Sequence, residues 1–216
     1  MAPHPSRIKY PRTPHLPFSL GMGDDDRVLA SDSHFVGEEV IVTVKMDGEN
    51  TSVYHDGTVH ARSLDSKHRD YHSWLLQDVQ NWCYALPEGM RVCGEYLFAR
   101  HSIAYDRLPS YFMAFSVWQG ETCLAWDDAM EVIKGLGDRA PQTVPVLFHG
   151  TYDTKTIRKI AEQAVADGQE GVVVRKVGAF TRDTFGENVA KYVRANHVQT
   201  DTHWMFAKIT KNELEN

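Results

Sequence analysis

The feature that most constrains this 216-residue chain is a run rich in β-branched residues, 39–45, that ends on Lys45-Met46-Asp47-Gly48. Val, Ile and Thr favour strands and Asp-Gly favours a tight turn, so the pattern predicts a strand whose last residue, Lys45, is held at a turn. A lysine amine is a nucleophile only when it is deprotonated, and its ordinary pKa is about 10.4. A chemical role for Lys45 therefore requires neighbouring cations or burial to lower its pKa. The alternative is an ordinary surface lysine beside a common turn.

Beyond this run, short strand signals alternate with turn residues and with three helical patterns. Residues 51–54 and 58–61 flank His55-Asp56-Gly57, which is typical of a hairpin turn. Because hairpins dominate, we expect largely antiparallel sheets with helices packed outside, an α+β fold and not a doubly wound one. No GxxxxGK[ST] loop is present to hold phosphates. The predicted strands are 39–45, 51–54, 58–61, 90–98, 111–118, 171–177 and 189–193, and the predicted helices are 70–86, one from Asp127 or Asp128 to Gly135 or Gly137, and one that Thr154 caps and that ends at Gly168.

The two ends of the chain differ from its centre. Residues 1–37 are predicted to form a basic, Pro-rich arm, since residues 1–23 hold five prolines and three Lys or Arg but no acid. Residues 38–197 are expected to form the main domain, and residues 198–216 a tail too short for a further one. No apolar run approaches the roughly 20 residues of a membrane span, and the N-terminus lacks the apolar centre of a signal peptide, so we expect a cytoplasmic protein without a membrane partner. The three cysteines are scattered, which favours reduced, buried thiols.

Charged residues recur at the ends or in the middle of the predicted strands. Such positions are costly inside apolar runs unless the charges are paired or functional. The recurrence therefore indicates a polar site between two sheets. After the Lys45 turn the segments follow in the order ARS at 61–63, GEY at 94–96, FMAFSVW at 112–118, EGVVVRK at 170–176 and KYVR at 191–194.

This ordered set resembles the covalent nucleotidyltransferase superfamily of polynucleotide ligases and mRNA capping enzymes. KMDG is similar to the nucleophile motif KxDG of that family, GEY to its third motif, FMAFSVW to the aromatic motif that follows, EGVVVRK to the fourth and KYVR to the fifth. Asn50, five residues after the lysine, and the EGVVVRK form are most similar to ATP-dependent RNA ligases, as is KYPRTPHL at 9–16 in the arm. The resemblance covers about residues 38–197 and implies an adenylyltransferase domain with the ATP site between its sheets.

The resemblance further implies an RNA ligase that joins 5′-phosphate to 3′-OH ends through lysyl-AMP and an adenylylated strand. Lys45 would carry AMP, Lys191 would bind the α-phosphate and help to lower the pKa of Lys45, and Phe115 would stack on adenine. The implied cofactors are ATP and magnesium or manganese, since hard cations prefer carboxylate oxygens. The implied ATP-binding residues are Val44, Asp47, Gly48, Arg62, Glu95, Phe115 and Lys191, the metal-binding residues are Glu170 and Glu95, and the nucleic-acid-binding residues are Asn50, Arg12 and Arg194.

Two departures from the family pattern leave alternatives open. Val193 stands where many RNA ligases carry a second lysine, and Arg194 points to the opposite side of a strand. No separate nucleic-acid-binding domain follows, so strand binding would rest on the core, the arm or a protein partner. RNA, DNA and RNA/DNA nicks are all candidate substrates. A DNA ligase, another nucleotidyltransferase and a catalytically degenerate module that binds nucleotides or nucleic-acid ends are the alternative functions.

Overall fold

A computed structural model of the chain describes residues 7–23, 26–65, 70–195 and 209–215. It contains a four-stranded sheet, here sheet A, and a seven-stranded sheet, here sheet B. Sheet A consists of β1 (Glu39–Val44), β8 (Val146–Thr151), β9 (Gly171–Lys176) and β11 (Val189–Val193). Sheet B consists of β2 (Glu49–Tyr54), β3 (Val59–Ala61), β4 (Met90–Tyr96), β5 (Phe112–Gln119), β6 (Thr122–Cys123), β7 (Gln142–Thr143) and β10 (Phe180–Thr181).

The strand order is β11-β9-β1-β8 in sheet A and β10-β6-β5-β4-β2-β3 in sheet B, where β7 lies beside β5. Only the β5–β7 pair is parallel among the described strands.

The helices pack on the outer faces of the sheets. The apolar stripe of α3 (Thr154–Ala166) packs in one core with alternate residues of β1 and β9, including Val40 and Val42. Helices α1 (Ser73–Val79) and α2 (Trp126–Lys134) contribute to the core beneath sheet B. A third cluster contains Cys93 and Trp118 from sheet B, Val189 from sheet A and α4 (Phe185–Asn188), so the inner faces of the sheets meet there. The predicted α+β fold of antiparallel sheets with outer helices is confirmed.

Several predicted elements are wrong in detail. The pattern over residues 70–86 is not one helix, because α1 ends at Val79 and the flanking turns Asp70–His72 and Cys83–Ala85 are 3-10. Asp153, not Thr154, caps α3, and its carboxylate accepts from the Thr156 N–H at 2.9 Å. Strand β8 was missed because it is an exposed edge strand, which needs no apolar alternation.

The N-terminal segment, which the structure describes at residues 7–23 and 26–37, pairs with the edge of sheet A over residues 14–21. Lys191 N–H donates to the Pro14 carbonyl at 2.9 Å, and Leu16 N–H donates to the Lys191 carbonyl at 2.8 Å. The side chain of Leu16 is fully buried in the α3 core. The segment therefore covers the β11 edge, which would otherwise present unpaired backbone groups.

The C-terminal segment, residues 209–215, docks beside sheet B. Arg100 N–H donates to the Thr210 carbonyl at 2.8 Å, and Leu108 N–H donates to the Glu213 carbonyl at 3.0 Å. The segment thus follows the loop of residues 97–110 between β4 and β5. Residues 198–208 of the predicted C-terminal tail lie outside the described residues.

Two further expectations concern the chain as a whole. All three cysteines are free and buried, as the sequence predicts. In the ranges that the structure describes, no helix has the length and apolar character needed to cross a membrane.

Candidate active site between the two sheets

Lys45 and Glu170 form the centre of the candidate site. Lys45 directly follows β1, and Glu170 directly precedes the neighbouring strand β9. Lys45 Nζ donates to Glu170 Oε2 at 2.5 Å, and the Lys45 N–H donates to the Gly171 carbonyl at 3.0 Å. A Cβ on Gly171 would stand 1.9 Å from the Tyr192 carbonyl oxygen, so the close packing of β9 and β11 requires glycine. The EG pair therefore fixes Glu170 beside the lysine.

The charge state of Lys45 differs from the sequence-based expectation. Burial acts to lower the pKa of Lys45, but Glu170 and Glu95 outweigh it, so the pKa of Lys45 is raised above its ordinary value. The expectation that the surroundings lower the pKa of Lys45 is therefore wrong for this arrangement of the site. Lys45 is held as an ammonium ion in an ion pair with Glu170.

Glu95 approaches the same centre from sheet B. It lies on β4, and its Oε1 accepts from the Gly48 N–H at 3.1 Å. Burial raises the pKa of Glu95 to about 8; Lys45 acts to lower it, and Glu170 acts to raise it further. Gly48 permits this approach, because a Cβ there would meet the Tyr96 carbonyl oxygen at 2.5 Å. Two carboxyl groups therefore share one ammonium group, and an additional cation would be favourable between them.

Asp47 fixes the turn after Lys45. Its Oδ2 accepts from the Ser102 N–H at 2.8 Å, from the Ser102 hydroxyl at 2.7 Å and from the Ile103 N–H at 2.7 Å. The Asp47 N–H donates to the Tyr105 hydroxyl at 2.9 Å. This carboxylate is thus engaged by the loop of residues 97–110. Its observed role is to tie that loop to the Lys45 turn.

Lys191 lies in the middle of β11 and is mostly buried. Its Nζ stands 3.5 Å from Asp26 Oδ1. Burial lowers the pKa of Lys191, Asp26 acts to raise it, and Lys45 acts to lower it. Lys191 is therefore within electrostatic reach of Lys45.

Three of the residues predicted to bind ATP or nucleic acid lie on or beside the strands of sheet B. Asn50 on β2 is the cross-strand partner of Glu95, and its Oδ1 is buried. Arg62 follows β3 with an exposed side chain, and its N–H donates to the Asn50 carbonyl at 2.9 Å. Phe115 on β5 is half-buried, and its ring meets the ring of Tyr10 edge-on at 5.5 Å between centroids. The fold thus places Asn50 opposite Glu95, whereas the contacts of Arg62 and Phe115 described above are not with the central residues.

The remaining predicted residues are less central. The side chain of Val44 packs in the core beneath sheet B, so only its backbone remains for a nucleotide. Arg12 is exposed on the N-terminal segment. Arg194 Nη2 donates to the Ser102 hydroxyl at 3.3 Å, next to the Asp47 contacts. Val193 is fully buried, its N–H donates to the Ser19 hydroxyl at 3.0 Å, and the arm covers it.

The donor set suits a divalent ion only in part. Glu95 and Glu170 offer the oxygen atoms that magnesium and manganese prefer. Across residues 7–23, 26–65, 70–195 and 209–215, no group of three or more His, Cys, Asp or Glu that could hold a metal occurs. An ion held by these two glutamates would thus need further oxygen ligands from water or from a bound phosphate.

Sequence reasoning missed the residues that support the centre. Asp26, His15 and Ser102 sit in irregular segments where no strand or helix pattern draws attention to them. Asn212 is fully buried, which is unusual for this residue type, but it lies in the tail that the sequence assigns no role. Only the fold reveals these contacts, because each of them joins segments far apart in the chain.

Comparisons with known proteins agree with this architecture. An archaeal ATP-dependent RNA ligase is similar with a TM-score of 0.61 and 14% identity over 86% of this chain and 48% of that one. A mutant Naegleria gruberi RNA ligase with AMP and manganese is similar with a TM-score of 0.55 and 17% identity over 76% of this chain and 52% of that one.

The solved structures that head the comparison are longer proteins, and this chain spans about half of their length. At such identities the likeness establishes the fold. No curated protein sequence matches the chain. A family model described as RNA ligase matches residues 38–193, which is well over half of the chain. The protein belongs to the RNA ligase family.

Proposed function

We propose that the protein is an ATP-dependent RNA ligase that carries AMP covalently on Lys45. The observation that carries this proposal is the Lys45–Glu170 ion pair at 2.5 Å, which joins two neighbouring strands of sheet A, with Glu95 of sheet B opposite it. A surface lysine would not be paired with a fully buried glutamate. The family match and the ATP-dependent archaeal ligase among similar folds support the same chemistry.

The proposed first step transfers AMP to the protein. The lone pair of Lys45 Nζ, once its proton has left to solvent, attacks the α-phosphorus of ATP. The bond from that phosphorus to the bridging oxygen breaks, and pyrophosphate leaves with the electron pair. Lys191, charged and close to Lys45, would face the same phosphate and stabilise the negative charge that develops on its oxygens.

Two further steps would complete the joining of strands. An oxygen of the 5′-phosphate of a strand attacks the phosphorus of lysyl-AMP, and the P–N bond breaks to return a free amine to Lys45. The 3′-OH of the second strand then attacks the activated 5′-phosphorus, AMP leaves, and a phosphodiester forms as the hydroxyl proton is lost. Asn50, Arg12 and Arg194 are the proposed contacts to these strands.

A magnesium or manganese ion is the proposed partner of Glu170 and Glu95. When bound, it would neutralise charge on these carboxylates and on phosphate oxygens. The similar Naegleria gruberi structures contain manganese with AMP or with ATP. Within the cleft, Phe115 is the proposed stacking partner of adenine, and Gly48 and Arg62 are further proposed nucleotide contacts.

The first prediction concerns Lys45 itself. Incubation with α-labelled ATP and magnesium should produce a labelled protein band on a denaturing gel, and Lys45→Ala should produce none, because the attacking nitrogen is missing. Chelation of the metal should also abolish labelling. Lys176→Ala is the matched control: Lys176 lies on β9 but pairs loosely with Glu38 at 3.9 Å, so this variant should label normally.

The outcomes separate the alternatives. A band that persists in Lys45→Ala contradicts the nucleophile assignment. A band with GTP in place of ATP favours a capping-type nucleotidyltransferase, and no band with either nucleotide favours a binding module. Sealing of nicks with RNA or DNA on the 3′-OH side then determines which strand the enzyme prefers.

A further inference from the structure

Lys191 depends on a charged partner from outside the matched family region. It is mostly buried, and its ammonium group stands 3.5 Å from Asp26 Oδ1. Asp26 belongs to the N-terminal segment, whereas the family match begins at residue 38. A buried ammonium group is costly unless it is paired, so the contact with Asp26 offsets part of the cost of placing Lys191 in the sheet.

Asp26 is itself held in place on its other oxygen. Its Oδ2 accepts from the Gly23 N–H at 2.9 Å and lies 3.3 Å from His15 Nε2. His15 is fully buried, and its Nδ1 is 2.8 Å from the Ser19 hydroxyl. The Ser19 hydroxyl in turn accepts from the Val193 N–H on β11. The carboxylate is therefore oriented by contacts that lead back to the strand that carries Lys191.

The backbone fixes the same arrangement independently. His15 N–H donates to the Arg27 carbonyl at 2.7 Å, and Leu29 N–H donates to the His15 carbonyl at 2.9 Å. Residues 14–16 also pair with Lys191, as described above. One short stretch of the segment is thus hydrogen-bonded to β11 on one side and to the residues that follow Asp26 on the other. This backbone pairing brings Asp26 close to the strand that carries Lys191.

We propose that Asp26, which accepts from the Gly23 N–H and contacts His15, is a positioning residue that holds the Lys191 ammonium group toward the phosphate that Lys45 attacks. This inference rests on the proposed function. Asp26 does not itself touch ATP in this account. Its effect passes through Lys191, so removal of its charge should slow the reaction of bound ATP more than it weakens ATP binding.

The test compares Asp26→Asn with Asp32→Asn in the full chain. Asp32 lies in the same segment, and its Oδ2 accepts from the Tyr152 hydroxyl at 2.8 Å and the Thr154 hydroxyl at 2.7 Å, away from Lys191. The initial rate of lysyl-AMP formation is measured against ATP concentration, together with the melting temperature of each variant. Asp26→Asn should lower the maximal rate about tenfold, the size expected for a lost charge-assisted hydrogen bond.

The other expected results separate positioning from folding. The KM for ATP should change less than about twofold in Asp26→Asn, because the interaction lost acts mainly as charge develops on the phosphate. Asp32→Asn should lower the melting temperature but keep the wild-type rate. Asp26→Glu, which keeps the carboxylate on a longer side chain, should recover part of the lost rate.

Three outcomes would overturn the inference. They are an unchanged maximal rate in Asp26→Asn, an equal loss of rate in Asp32→Asn, and an Asp26→Glu variant no faster than Asp26→Asn. Each presupposes that the wild-type protein forms the adduct. A wild-type protein that forms no adduct contradicts the proposed function and the inference together, whereas normal labelling with a fully active Asp26→Asn contradicts the inference alone.

Discussion

The two segments that flank the matched region support opposite sides of the cleft in different ways. The N-terminal segment extends sheet A, buries Leu16 in a core and presents Asp26 to Lys191. In its described residues, 209–215, the C-terminal segment contacts the loop of residues 97–110, using neutral hydrogen bonds from Asn212. The first segment is thus part of the sheet and of the charge balance, whereas the second one braces a loop. The comparison teaches that two segments outside the matched region can support the same centre through different physical means.

The largest change in the free energy of unfolding is expected from Leu16→Ala in the N-terminal segment. Leu16 is fully buried against sheet A, so truncation should reduce the free energy of unfolding by about 2–5 kcal/mol. Leu214→Ala is the matched change in the C-terminal segment, and because Leu214 is only half-buried its cost should be smaller. Urea unfolding of both variants measures the difference. Equal costs would contradict the view that the first segment is buried more deeply in a core than the second.

An intermediate effect is expected from Asn212→Ala. The Asn212 amide donates to the Leu97 carbonyl at 2.7 Å and accepts from the Tyr105 N–H at 3.0 Å, and both groups would lose this partner. The free energy of unfolding should fall by about 1–3 kcal/mol. Because Tyr105 also contacts the Asp47 N–H, lysyl-AMP formation should slow as well.

Asn188→Ala provides the control for this change. Asn188 donates to the Thr184 carbonyl at 2.9 Å at the end of α4, on a different part of the fold from the Asp47 contacts. A variant with lower stability but an unchanged labelling rate is expected here. If Asn212→Ala behaves in the same way, the tail stabilises the fold without positioning the Lys45 turn.

The smallest effect is a pH dependence that arises from His15. Burial, with the charge of Lys191, lowers the pKa of His15 to about 4 despite the nearby Asp26. Since the folded-state pKa is below the unfolded value, His15 contributes stability above pH 6.5 that is lost as the pH falls toward 4. The loss between pH 7 and pH 5.5 should be about 1 kcal/mol.

This pH dependence can be isolated by a variant without a titrating ring. His15→Asn keeps a polar side chain next to Ser19, although it loses packing at every pH. Between pH 7 and pH 5.5 the free energy of unfolding of the wild type should therefore fall by about 1 kcal/mol relative to that of His15→Asn, because every other titrating group, including Glu95, is common to both proteins. Parallel curves for the two proteins would show that His15 is not the titrating group.

The sequence by itself determined the fold class, because its β-branched runs and hairpin turns predict antiparallel strands. Its ordered motifs, through their resemblance to those of RNA ligases, also indicated Lys45, Glu95 and Glu170 as candidate site residues. The sequence could not locate α1 or β8 well, because aromatic residues over 70–86 fit several local structures and an exposed edge strand carries no apolar period.

Only the tertiary structure decided how the central residues interact. In the folded chain Glu170 forms an ion pair with Lys45, and the carboxylate of Asp47 accepts hydrogen bonds from the loop of residues 97–110. The pKa of Lys45 is raised, whereas the sequence-based expectation was that it would be lowered. The fold also brings Asp26 of the N-terminal segment into contact with Lys191. These outcomes depend on burial and on charges brought together from distant segments, and a pKa is set by that surrounding field and not by the residues next in sequence.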